Sequence, residues 1–219
     1  MLRSLPMRPL CTALAALAAL ALGASSARAL SFSMHADWTG VGYAVKWSYG
    51  DLQRNWMATE FDATLEGVAG VAYCIDLEQG AQLGDTTGYS IVDLDEVLNG
   101  WAAAWLLQSY RADRDAPDAR EQITALQIAI WEVTHDASAW DIFDGDFRVL
   151  LVKSELSLAL AQSYLASIPE RRVAVDGVVA LHHNNNQDQI FIPNVPEPGT
   201  ALLLGIGCAG IALRGRRRS

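Results

Sequence analysis

Two short stretches hold the residues best suited to chemistry: YCID, from Tyr73 to Asp76, and LQIAIW, from Leu126 to Trp131. Gln127 is set among Ile123, Ala129, Ile130 and Trp131. A buried side-chain amide without a partner costs roughly 1–3 kcal/mol, so this amide has to find one. Cys74 stands by itself. Of the three cysteines, Cys11 falls in an N-terminal leader and Cys208 in a C-terminal apolar run. A single thiol in an exported domain reads as an intermolecular disulfide, a reactive group or an inert core side chain.

The patterning gives the elements that must hold these two residues. VAYCIDL is a near-continuous apolar run, hence a strand buried on both faces, with Cys74 and Asp76 on one side of it. Phe61, Ala63 and Leu65 alternate with Asp62, Thr64 and Glu66 in a half-buried strand. Residues 30–50 read as one or two strands, and residues 79–89 as a loop. A helix is expected from Leu94 to Tyr110. Asp118 and Glu121 have the spacing of a capping box that opens the helix carrying Gln127. The buried stripe of that helix is Ile123, Leu126, Ile130 and Val133, with Gln127 and Trp131 on its border. A third helix is expected from Phe147 to Ser167, before Pro169, and RRVAVDGVVALHH and QDQIFIP read as two closing strands. Together these predict an α+β domain, a β-sandwich or barrel with a helical insertion.

The ends carry export signals. Residues 1–29 run from Arg3 and Arg8 through an Ala/Leu stretch to Ala27 and Ala29, the order of a cleaved signal peptide. In residues 193–219, VPEP precedes an apolar stretch to Leu213 and then Arg214, Arg216, Arg217 and Arg218, a stop-transfer pattern with one membrane segment. This tail resembles the PEP-CTERM sorting signal of Gram-negative bacteria. The resemblance implies that an exosortase recognises Pro196, Glu197 and Pro198 and cuts near them. The folded domain is then residues 30–192, in the envelope, at the cell surface or in the matrix. Between residues 30 and 195 there are nine Lys and Arg against 24 Asp and Glu, and all seven Trp. So acidic a surface repels nucleic acid and anionic membrane.

The YCID and LQIAIW stretches together resemble the signatures of bacterial thioester domains of surface adhesins. AAWLLQSY, Ala103 to Tyr110, resembles the helix such domains carry between them; one departure is Leu126, where many members have Thr. The resemblance implies that Cys74 and Gln127 condense, losing ammonia, into an internal thioester, within a thioester-domain-like fold. It implies a single-turnover covalent binder rather than an enzyme, needing no cofactor. Proximity can offset the lost amide resonance, because well-oriented groups reach effective molarities of ~10⁵–10⁸ M. The electrophile would be kept dry by Trp131, Tyr73 and Ile130, and a Lys amine on a partner surface or matrix would open it.

Two supporting residues carry expectations of their own. His135 is placed either to move a proton during these steps or to stabilise the helix C-terminus. Asp76 orients a donor near the bond or bonds to backbone. Two other functions fit parts of the sequence: a non-reactive envelope or matrix protein, and a cysteine hydrolase using Cys74, His135 and Asp136, which acidic Asp76 and Glu78 disfavour. No metal site is expected: Asp141, Asp144 and Asp146 miss the calcium-loop spacing, and the adjacent His182 and His183 point to opposite faces of a strand.

Overall fold

A computed structural model describes residues 30–35, 42–137 and 140–194. The expected signal peptide and the expected sorting tail, with Pro196, Glu197, Pro198 and the apolar stretch after them, lie outside the described residues. Among those described, no helix is long and apolar enough to cross a membrane.

Six antiparallel strands close a barrel in the order β1 (Leu30–His35), β4 (Phe61–Leu65), β5 (Val68–Cys74), β9 (Gln189–Pro193), β8 (Val179–His182) and β6 (Gly84–Val92). Three more form a separate sheet in the order β3 (Leu52–Met57), β2 (Ala44–Tyr49) and β7 (Phe147–Val152). Helices α1 (Gly100–Tyr110), α2 (Ala119–His135) and α3 (Glu155–Ala166) complete the fold. The expected α+β architecture, with a barrel and inserted helices, is the one observed.

β5 sits between β4 and β9, which is why its sequence is apolar almost throughout: Gly70 to Cys74 are all buried. Helix α2 is central among the helices and packs on both α1 and α3. It buries Ile123, Leu126, Ile130 and Val133 as its period requires. Trp131, fully buried, meets Trp47 of β2 and Phe147 of β7 with ring centroids 6.4 and 6.2 Å apart, joining the helix to the smaller sheet.

Several expectations need correction. The helix placed over Phe147–Ser167 is a strand followed by a helix: in β7 Phe147 and Val149 are buried and Arg148 and Leu150 exposed, and Ser154 then caps α3 by accepting from the Ser157 N–H. Residues 79–89 are loop only as far as Leu83; β6 follows, paired on both sides. The helix expected from Leu94 is a single 3-10 turn at Leu94–Glu96, interrupted at Asn99 (φ 50°) before α1 begins. The expected capping box at Asp118 does not form: Asp118 accepts from Gln122 Nε2, and Glu121 accepts from the Tyr43 hydroxyl. Such a box closes instead at Asp93 and Glu96.

Candidate functional site

Continuing the Phe61–Ala72 register of β4 and β5 by two residues would bring Thr59 opposite Cys74. The chain has already left, since the Ala58 N–H donates to the Tyr43 carbonyl beside the other sheet. The last residue of β5 therefore has no strand on that side, and the side chain of Gln127 fills the place. Gln127 Oε1 accepts from the Cys74 N–H at 3.0 Å, and Gln127 Nε2 donates to the Cys74 carbonyl at 2.8 Å. A main-chain N–H only donates and a carbonyl only accepts, so the amide's orientation is fixed. Gln127, on the border of the helix's apolar stripe, is fully buried.

On its other side Cys74 faces Gln189 of β9. The neighbouring hydrogen bond from the Ile75 N–H to the Asp188 carbonyl marks Cys74–Gln189 as a non-hydrogen-bonded pair, with side chains close. Gln189 Nε2 reaches the sulfur at 3.8 Å. The thiol itself donates to Gln187 Oε1 at 2.6 Å. Gln187 is held in turn by donation from its Nε2 to the Asp76 carbonyl at 2.8 Å, and by the Tyr89 hydroxyl on its own carbonyl. Three glutamines thus surround one cysteine. Only Gln127 stands out in the sequence. Gln187 and Gln189 head QDQIFIP, which reads as a closing strand, and that pattern carries nothing that points either glutamine at the sulfur.

The sulfur borders a cavity of about 260 Å³ lined by Trp56, Met57, Thr59, Phe61, Gly80, Ala81, Leu83, Trp131 and Gln187. Among the described residues, no charged side chain lines it. Burial pushes the Cys74 thiol up to about 12, the nearby Asp76 adding to the effect and a hydrogen bond from Gln189 opposing it. Two of the lining residues, Trp131 and Thr59, have a buried polar atom, Nε1 and Oγ1, with no hydrogen-bond partner among the described residues.

The remaining sequence-derived residues fall in different places. Trp131 joins the site. Tyr73 is buried with its hydroxyl on Glu60 at 3.0 Å, and Glu60 is paired with Arg114. Ile130 is buried outside the cavity lining. Asp76 Oδ1 accepts from the Glu78 and Gln79 N–H groups and shapes the turn after β5. His135 meets the Trp131 carbonyl, the Thr134 hydroxyl and the edge of Tyr49, and burial holds it down at about 4. Asp136 accepts from the Asp146 N–H. Among the described residues, no three His, Cys, Asp or Glu side chains are grouped to hold a metal ion.

No curated protein matches the chain. Among solved structures, the thioester domain of the Staphylococcus aureus TIE protein is 14% identical, with 77% of this chain and 80% of that chain covered at a TM-score of 0.40. The C-terminal segment matches a family model. Residues 194–218 are a PEP-CTERM protein-sorting motif, which marks the chain for exosortase processing and for export to the envelope or surface of a Gram-negative bacterium.

Proposed function

We propose that this exported domain joins Cys74 to Gln127 in an internal thioester and uses it to capture a nucleophile covalently on a partner surface or matrix. The observation that carries the reading is the ring that Gln127 closes on the main chain of Cys74. The Cys74 Cα is a member of that ring and Sγ hangs from it through Cβ, so rotation about one bond, Cα–Cβ, moves the sulfur relative to the amide. In the condensation, sulfur attacks Cδ, the C–N bond breaks, and the thiol proton leaves with the amide nitrogen as ammonia. In capture, an amine attacks the thioester carbonyl, the C–N bond of an amide forms, the C–S bond breaks, and the amine's proton goes to the departing sulfur. Two packed elements, the end of β5 and the middle of α2, supply the enforced proximity this needs.

The surroundings favour an electrophile over a catalytic thiolate. A cysteine hydrolase needs a lowered thiol pKa and a base beside it. Here the thiol is held at about 12, and His135 makes its hydrogen bonds elsewhere. The mostly apolar, uncharged lining disfavours ions beside the bond, so an incoming ammonium must shed its proton at the mouth.

Treating the full chain with methylamine and mapping the product by peptide mass spectrometry tests the reading. The expected product is a methylamide on Gln127, absent in Cys74→Ala. Methylamide elsewhere, or on Gln127 without Cys74, would overturn it.

A further inference from the structure

We infer that the outer edge of β3 is a docking strand, and that what docks there is an extended acidic peptide segment that carries its nucleophile to the Cys74 cavity. The inference rests on the thioester reading for its chemistry and on the following geometry for its location.

β3 is at one end of the three-stranded sheet, and among the described residues no strand pairs with its other side. The β2–β3 hairpin turns on two residues, Gly50 (φ 52°) and Asp51, so Tyr49 and Leu52 are a hydrogen-bonded pair. The alternation carries on to the Ala58 N–H bonded to the Tyr43 carbonyl, which fixes its phase. Gln53, Asn55 and Met57 therefore turn their main-chain N–H and C=O groups outward. A described side chain reaches one of these groups, the Gln53 carbonyl, through Arg54 Nη1 at 3.3 Å on the exposed surface.

That edge runs into the site. Trp56 and Met57 line the cavity that Cys74 borders, and Met57 and Leu83 leave apolar surface exposed, 37% and 49%. A peptide paired along Gln53 and Asn55 would bring its next residues over this opening, as strand addition to a free edge does elsewhere.

Charge selects the peptide. β2, β3 and β7 carry one cation each, Lys46, Arg54 and Arg148, and no carboxylate, in a domain otherwise strongly acidic. None of the three is ion-paired with a described residue. An acidic strand is therefore attracted here and repelled by most of the remaining surface.

The test uses the full chain and a peptide of about eight residues alternating Asp and Val, matched to the strand length, with one Lys at either end. Non-covalent binding is read by fluorescence anisotropy on Cys74→Ala, and adduct formation by intact mass on the wild type. One of the two peptides is expected to bind Cys74→Ala, and to label the wild type about tenfold faster than methylamine at equal amine concentration, through raised effective concentration. Asn55→Pro removes an outward N–H and no β2–β3 hydrogen bond, so it should abolish both effects and leave the methylamine rate unchanged. Gln53→Pro serves if that variant unfolds, and Arg54→Glu should weaken binding. Failure of both peptides to bind Cys74→Ala, or undiminished binding to folded Asn55→Pro, overturns the inference. A wild type that binds peptide but never reacts with methylamine overturns the thioester reading instead and leaves the docking edge standing.

Discussion

The Cys74 thiol donates to Gln187 Oε1 at 2.6 Å, so the sulfur is held by one glutamine while the amide of another, Gln127, is fixed on the main chain of the same residue. The hydrogen bond to Gln187 stabilises the uncondensed thiol and has to break before sulfur can reach Cδ of Gln127. A bond of this kind is worth about 0.5–1.5 kcal/mol.

Gln187→Ala should therefore condense about two- to tenfold faster than the wild type, since the barrier no longer includes that bond. Loss of ammonia followed by mass during cell-free synthesis reads this directly. Slower condensation in a folded Gln187→Ala would mean that Gln187 aligns the attack rather than restraining it.

Gln127 has a structural role independent of any covalent bond. In a Cys74→Ala background its two hydrogen bonds to the main chain remain, and Gln127→Ala leaves a buried N–H and a buried carbonyl unpaired. The added substitution should lower stability by about 2–4 kcal/mol in urea unfolding. A cost below about 0.5 kcal/mol would contradict the ring described here.

Glu132, fully buried, is raised to about 8, first by burial and then by the charges of Asp136 and Asp141, with the main chain at Asp141 opposing. Below about pH 4.5 the acid is protonated folded and unfolded alike; between 4.5 and 8 the folded chain keeps a proton that the unfolded chain releases, so stability falls as pH rises. His135, lowered to about 4, runs the other way, its contribution present above 6.5 and lost as pH falls toward 4. From pH 6.5 to 8 the Glu132 effect stands without the His135 one. There wild-type stability should fall by up to roughly 1.4 kcal/mol per pH unit, and Glu132→Gln should flatten the slope. Equal slopes in chemical denaturation would remove Glu132 from the account.

How far the sequence could be read depended on how local the determining forces were. The Gln127 helix was legible because Ile123, Leu126, Ile130 and Val133 keep a helical period over a long run. Cys74 was legible as a strand residue because VAYCIDL is apolar throughout. The full burial of Gln127 goes beyond the helical period, because it comes from β5, a neighbour remote in sequence. FRVLLVKSELSLAL concealed a strand-to-helix change, for the alternation in Phe147–Leu150 is short and the cap at Ser154 is a single residue. GDTTGY reads as loop because its glycines suit turns, Gly84 and Gly88 having positive φ; pairing with β1 and β8 makes it part of a strand. Gln187 and Gln189 reach the sulfur only through the closure of the barrel by β9, a long-range contact that no spacing rule signals.

Intact mass of the purified full chain under native conditions tests the central claim most directly. The account gives a mass one ammonia below that of the processed sequence, raised by one methylamine on treatment, with Cys74→Ala and Gln127→Ala both at full mass and unreactive. A wild type at full mass, with a thiol that alkylates under those same conditions, would contradict it.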